Sequence, residues 1–296
     1  MSLSAAFDRF VDPARKRPAL WRVLLGLVVV AVVMTIWFAA IFGGVWLAGG
    51  FPLMDAVMPE LVEADTSRGT LLLLGTFVGM MLGTMLAARW LHKRGPGTLF
   101  GPRHMVLRDF AWGAGAIALV VVVSTLLLGS IGPQPMPNLS LGLWLQLLIP
   151  ALVLVLIQTG AEEVLFRGYL MQQLAARFPV APVYLALPAV LFGVLHYDPV
   201  TGGDNAWLIA ASATLFGLIA GDLTRVTGNL GAAWGLHFAN NVAAILLVGT
   251  TGTITGLALY VTPFPADDIA TLRPLILLDS AVLIAVWAAL RWRLKR

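Results

Sequence analysis

Glu162-Glu163-Val164-Leu165-Phe166-Arg167 decides the reading of this chain. An apolar segment, 143–157, precedes it, and the sequence soon turns apolar again after it. Three charges therefore sit at or near membrane depth. Each charge costs roughly 2.5–3.5 kcal/mol at the centre of a bilayer helix, so an intramembrane charge points to a functional site by default. On a helix, Glu163 and Arg167 are four apart, on one face and within pairing reach, with the acid first as such pairs prefer. Glu162 is turned about 100° from Glu163 by the ~3.6-residue period and is left without a local cation. An unpaired carboxylate of this kind is a candidate base. The plainer alternative is one ionic knot that holds helices in register.

Composition supports the membrane setting. Hydrophobic residues make up 59% of the 296 residues and charged residues 11%, with a mean hydropathy of +0.89. Soluble domains carry about 25% charged residues. The net charge of +4 comes from loop cations and gives no ground for nucleic-acid binding. The absence of cysteine excludes disulfides, thiolate catalysis and cysteine-ligated metals. No cleavable signal peptide is expected. The first apolar run follows a polar stretch of about twenty residues and is longer than a signal core.

Eight apolar segments follow in order: 23–47, 69–88, 110–128, 143–157 with its continuation, 183–196, 207–221, 230–248 and 275–290. The expected fold is all-α, a polytopic integral membrane protein of about eight transmembrane helices. Several segments are shorter than the ~20 residues that cross a bilayer squarely. With both termini placed in the cytoplasm, every Lys and Arg except Arg68 and Arg273 falls on the inner side, as the positive-inside rule requires. The acids Asp55, Glu60, Glu63, Asp65, Asp198, Asp204, Asp267 and Asp268 fall outside. Residues 1–22 read as a basic cytoplasmic segment whose Phe7, Phe10 and Val11 lie on the membrane surface. Residues 23–108 read as two accessory helices and a basic loop, 109–249 as the core, and 250–296 as an outer loop, a last helix and a basic tail. Gly75, Gly79 and Gly83, and likewise Gly231 and Gly235, recur every four residues and let helices approach closely. That spacing serves packing within the chain or a homodimer. Asn138-Leu139-Ser140 has the form of a glycosylation acceptor in a Pro-rich outer loop.

Of the four histidines, His92 and His104 sit among loop cations and are expected to be solvated. His196 and His237 belong to apolar segments. Phe192 precedes His196 by four residues, and Asn241 follows His237 by four, with Asn240 beside it. Proline disfavours helix in the residue before it, so Phe178-Pro179 is a turn. An antiparallel pair folded there brings Glu162 and His196 level, each about 17 residues from the turn at ~1.5 Å per residue. His237 enters on a later helix after Thr227-Gly228-Asn229. Strict spanning would put His196 and Glu162 near opposite membrane faces, so one of these helices must project beyond the bilayer or run obliquely. Glu162, His196, His237 and Asn241 can then share one pocket. A carboxylate flanked by imidazole can activate water towards a carbonyl. A second imidazole and an amide can donate to the oxyanion. The same Glu162, His196 and His237 could instead hold a divalent ion such as Zn2+.

The run Glu162-Glu163-x-x-x-Arg167, Phe192-x-x-x-His196 and His237-x-x-x-Asn241 resembles the CPBP family, which comprises CAAX prenyl endopeptidases and bacteriocin-processing or self-immunity proteins, often described as intramembrane metalloproteases. The resemblance extends over about 109–248. It implies an eight-helix membrane fold and cleavage of a peptide bond near a lipid-modified or membrane-embedded C-terminus. It also implies that Glu162 and His196 activate water, that His237 and Asn241 hold the oxyanion, and that Glu163 with Arg167 orients Glu162. The implied partners are a peptide or protein substrate with a membrane-associated C-terminus and membrane lipid. The resemblance fixes neither a metal nor a prenylated substrate. Two other classes remain: a non-proteolytic immunity or scaffold protein on the same fold, and a proton-coupled transporter. A transporter usually shows two related halves, and the charged stretch has no second copy. No His-Glu-x-x-His or Gly-x-Ser-Gly occurs. Asp198 and Asp222 make only a faint aspartyl-protease pair, because Thr201 and Ile219 occupy glycine positions.

Overall fold

A computed structural model describes residues 5–129, 131–178 and 180–295. Pro179, at the expected turn, and Arg296, in the basic tail, lie outside the described residues. Helix α1 (Ala5–Arg15) leads into α2 (Leu20–Glu63), α3 (Ser67–Leu91) and α4 (Arg103–Leu128). Helix α5 (Leu141–Glu163) continues without a break as a π-helix, Val164–Met171, and then as α6 (Gln172–Arg177). A π-turn, Pro182–Ala186, opens α7 (Leu187–Val194), and the short α8 (Pro199–Gly202) follows. The long α9 (Ala206–Thr227), α10 (Gly231–Val242) with a π-helical end at Ala243–Leu247, and α11 (Ile269–Leu294) complete the bundle.

Among the described residues, six helical runs are long and apolar enough to cross a membrane. They are Leu20–Glu63, Ser67–Leu91, Arg103–Leu127, Leu141–Arg177, Pro199–Thr227 and Ile269–Leu294. The other two expected spans are shorter, Pro182–Val194 and α10 with its π-helical end. Large apolar side chains such as Leu24, Ile36, Leu126, Leu127 and Ile149 are exposed along the long helices, as on a surface covered by acyl chains. The chain is a multi-pass membrane protein.

Helix ends follow from local chemistry. The Thr66, Ser140 and Asp268 side chains each accept a backbone N–H three residues on, satisfying donors that a helix start leaves unpaired. Gly228 ends α9 in the left-handed region (φ 69°), which glycine enters without cost. Helix α2 breaks at Gly50 (φ 64°), just before Pro52. Gly79, Gly83, Gly231 and Gly235 seat helices against one another within the chain, whereas Gly75 faces open space. A Cβ at Gly235 would lie 2.1 Å from the Phe110 carbonyl oxygen, and one at Gly231 2.3 Å from that of Val106, so α10 lies directly against α4.

Four local expectations need correction. Phe7, Phe10 and Val11 are buried, because the apolar face of α1 is covered by the protein core rather than by a membrane surface. His92 is buried too: its Nδ1 lies 3.0 Å from the Arg17 carbonyl and its Nε2 2.9 Å from the Tyr169 hydroxyl. Asn138 donates its side-chain amide to the Thr255 and Ala258 carbonyls and pins a loop. The connections before α5 and after α10 also contain a small sheet, with β1 (Met136–Pro137) antiparallel to β3 (Tyr260–Pro265) and β2 (Val248–Thr251) parallel to it. Helical periodicity gives no warning of strands this short.

The two described ends of the chain lie at one end of the bundle. A Cβ at Gly228 would sit 2.5 Å from the Ala6 carbonyl oxygen, and Arg291 Nε lies 2.8 Å from Asp222 Oδ2. That is the arrangement expected of an even number of crossings.

Candidate active site

The Leu141–Arg177 helical run positions the charged stretch. Its 37 residues span ~55 Å at 1.5 Å per residue, well beyond a hydrocarbon layer of ~30 Å. Projection past the membrane therefore removes the conflict between strict spanning and a level pair of helices. Glu162 and Glu163 close the α-helical part, and Arg167 lies within the π-helix. Single π-turns recur at functional sites because they re-aim side chains. This π-helix is braced from behind. Arg94 donates to Gln172 and to the Gly168 carbonyl, while His92 meets Tyr169.

Glu163 is fully buried and accepts from Arg167 Nη1 at 2.9 Å through Oε1. The Arg167 guanidinium is equally enclosed. It sits 4.9 Å from the Phe192 ring centre and 5.9 Å from those of Phe166 and Phe216, and its Nη2 donates to the Gly217 carbonyl. Such a pair is not cheap to bury, but stranding either half costs about 3–5 kcal/mol. The aromatic faces add favourable cation–π contacts.

The second partner of Glu163 comes from α10. His237 Nδ1 lies 2.9 Å from the same Oε1. A carboxylate oxygen paired with Arg167 accepts, so this contact assigns a proton to Nδ1. In the neutral ring Nε2 then carries the lone pair. Nε2 faces Glu162 Oε2 at 3.4 Å. Phe192 and Phe216 pack edge-on against the imidazole, with centroids 5.9 and 4.8 Å away. Glu162 is buried, and among the described residues its Oε2 has no hydrogen-bond donor. Its Oε1 accepts from Gln158 Nε2 at 2.9 Å. Gln158 Oε1 in turn accepts from Asn241 Nδ2 at 2.9 Å. Arg167, Glu163, His237, Glu162, Gln158 and Asn241 thus form one chain of polar contacts between α5, its π-helical continuation and α10.

Two members of this chain, His237 and Asn241, line a cavity of about 490 Å³, and Glu162 lies behind them outside its wall. His237, Asn240 and Asn241 line it from α10, Phe192 and His196 from the α7 side, and Ser212 and Phe216 from α9. The strands contribute Thr250, Thr262 and Phe264, and α11 contributes Leu275, Asp279 and Leu283. The cavity wall therefore extends past residue 249, beyond the expected core. His196 shares this cavity but stands apart from the buried chain. It is exposed, with Nδ1 2.7 Å from the Phe192 carbonyl oxygen. The hairpin was expected to join Glu162 to His196, but the imidazole in contact with Glu162 is that of His237, and His196 lies on the cavity wall.

Two residues of the site lie outside the sequence motifs. Gln158 is one helical turn before Glu162, and its four-residue spacing was the available signal. Asp279 is the lone acid in the apolar run of the last helix, and intramembrane position alone marks it. Asp222 is held by Arg225, Arg291 and Trp287. It lies sixteen residues along α9 from Ala206, ~24 Å from the Asp198 end, so the two do not form an aspartyl pair.

The donor set does not fit a zinc ion. Among the described residues no three His, Cys, Asp or Glu side chains converge as a metal site. His237 uses Nδ1 on Glu163, and His196 is oriented by Phe192 rather than by Glu162.

Comparison with known proteins gives two matches. Residues 143–243 match the family model described as "Type II CAAX prenyl endopeptidase Rce1-like", within the stretch that carries the CPBP motifs. The chain is also 29% identical over 263 residues to "Uncharacterized protein YyaK" of Bacillus subtilis (strain 168), covering 84% of this chain and 85% of that protein. No solved structure gives a significant match.

Proposed function

We propose that this protein is an intramembrane endopeptidase that hydrolyses a peptide bond near a lipidated or membrane-embedded C-terminus. The observation that carries this reading is Glu162 Oε2, which has no hydrogen-bond partner among the described residues and lies 3.4 Å from Nε2 of His237, a residue that lines a cavity within a helical membrane bundle. Glu162 takes a proton from water admitted past His237 and Asn241 from the cavity, and the hydroxide adds to the scissile carbonyl. Asn241 has a second amide N–H beyond the one given to Gln158, which can donate to the developing oxyanion, while His237 Nε2 accepts a hydrogen bond from the carboxylic acid that Glu162 becomes. As the tetrahedral adduct collapses, the C–N bond breaks and the Glu162 carboxylic acid returns its proton to the leaving amine. His196 stands across the cavity to hold water or substrate. Glu163 and Arg167 position His237 and do not touch the reacting atoms. The match at 143–243 supports the same class of activity.

The test is a comparison of protein C-termini in cells carrying wild type or Glu162→Gln. The reading expects C-terminal fragments of membrane-associated proteins that appear only with wild type. Identical C-termini in the two strains argue for a non-proteolytic role.

A further inference from the structure

A second concave surface lies on the lipid-facing side of the bundle, between α4 and α11. It is a groove of about 950 Å³ walled by Gly115, Ala116 and Leu119 on one helix and Val282, Ala285 and Ala289 on the other. Small residues face each other there, so no side chain fills the gap. At one end the character changes. Arg108, Trp112 and Arg293 belong both to the groove and to an adjoining recess of about 250 Å³, which Lys295 also lines. The Arg293 guanidinium lies 4.7 Å over the Trp112 ring. Arg108 is paired with Asp109 at 3.1 Å. Neither Arg293 nor Lys295 has a carboxylate within ion-pair distance among the described residues.

We infer that this is a binding site for an anionic phospholipid. One acyl chain lies in the groove and the phosphate enters the recess between Arg293 and Lys295. The groove is apolar along the part of both helices that crosses the membrane. The cations and the tryptophan stand where the helices leave it, at the level of headgroups. Basic pockets between membrane helices bind anionic headgroups, whereas a zwitterionic choline headgroup brings its own cation and gains nothing from two uncompensated charges. This site is independent of the cavity lined by His196 and His237.

The test uses the full chain, delipidated in detergent and titrated by native mass spectrometry with phosphatidylglycerol or phosphatidylcholine of identical acyl chains. Each interfacial cation contributes about fivefold, so two unpaired ones predict a preference for phosphatidylglycerol of about 25-fold. Arg293→Gln combined with Lys295→Gln brings the two lipids to near-equal binding. Gly115→Leu places a side chain in the groove, where an added Cβ meets nothing within 4 Å, and weakens both lipids together. Equal binding of the two lipids by wild type overturns the proposal. So does a preference that survives the double substitution.

Discussion

His237 Nδ1 and Arg167 Nη1 each lie 2.9 Å from the same oxygen, Glu163 Oε1. One carboxylate therefore fixes the tautomer of the imidazole and neutralises a guanidinium enclosed by three phenylalanines. Its neighbour Glu162 is left with an oxygen directed at the other imidazole nitrogen.

Glu163→Gln keeps the size of the side chain and removes its charge. Arg167 is then buried without a counter-ion, and the loss is about 3–5 kcal/mol. Thermal unfolding in detergent measures it. Arg167→Met costs a similar amount, and the double variant costs clearly less than the sum, because the two residues share one interaction. Full additivity would contradict the coupling.

The two histidines separate in the same assay. His237→Ala leaves a buried hydrogen bond to a charged group unmade, worth about 1.5–3 kcal/mol. His196→Ala removes an exposed ring and stays within about 0.5 kcal/mol of wild type, as surface changes usually do. Both variants lose cleavage on the proposed mechanism. Equal destabilisation would mean that His196 belongs to the buried chain.

How much of this was legible in the sequence differs by element. The Glu163–Arg167 pair follows from four-residue helical spacing, and the long helices follow from apolar runs. The hairpin paired Glu162 with His196, whereas the structure puts His237 against Glu162 and His196 on the cavity wall. The histidines' division of labour depends on side-chain direction, which spacing does not carry. Gln158 was overlooked because an amide in an apolar run signals less than a charge. His92 and Arg94 looked like loop cations. Their burial depends on Tyr169 and Gln172, more than seventy residues away.

His92 has a pH consequence. Burial above all, with the nearby charges of Arg94 and Arg22, outweighs its hydrogen bond to Arg17 and pushes the imidazole down to about 4. The unfolded ring titrates near 6.5. Between these values the unfolded chain binds more protons, so stability falls as pH drops from about 6.5 towards 4. Unfolding temperature measured against pH should show this slope, and His92→Gln should flatten it. An unchanged slope would place the titration elsewhere.

Gly235→Val tests the seating of α10. Its side chain would meet the Phe110 carbonyl and push α10, which carries His237 and Asn241, away from α4. Core overpacking costs about 1–3 kcal/mol. Because His237 is two residues away, cleavage should fall further than stability does. Wild-type cleavage in this variant would show that the α4–α10 contact does not set the position of the histidine.

The most direct measurement compares wild type and Glu162→Gln in proteoliposomes, on a membrane-anchored peptide bearing a lipidated cysteine near its C-terminus. Wild type should release the C-terminal fragment. Glu162→Gln should be slower by at least about a hundredfold, the lower range of general-base catalysis, with its unfolding temperature unchanged. Cleavage by Glu162→Gln at the wild-type rate would contradict the account.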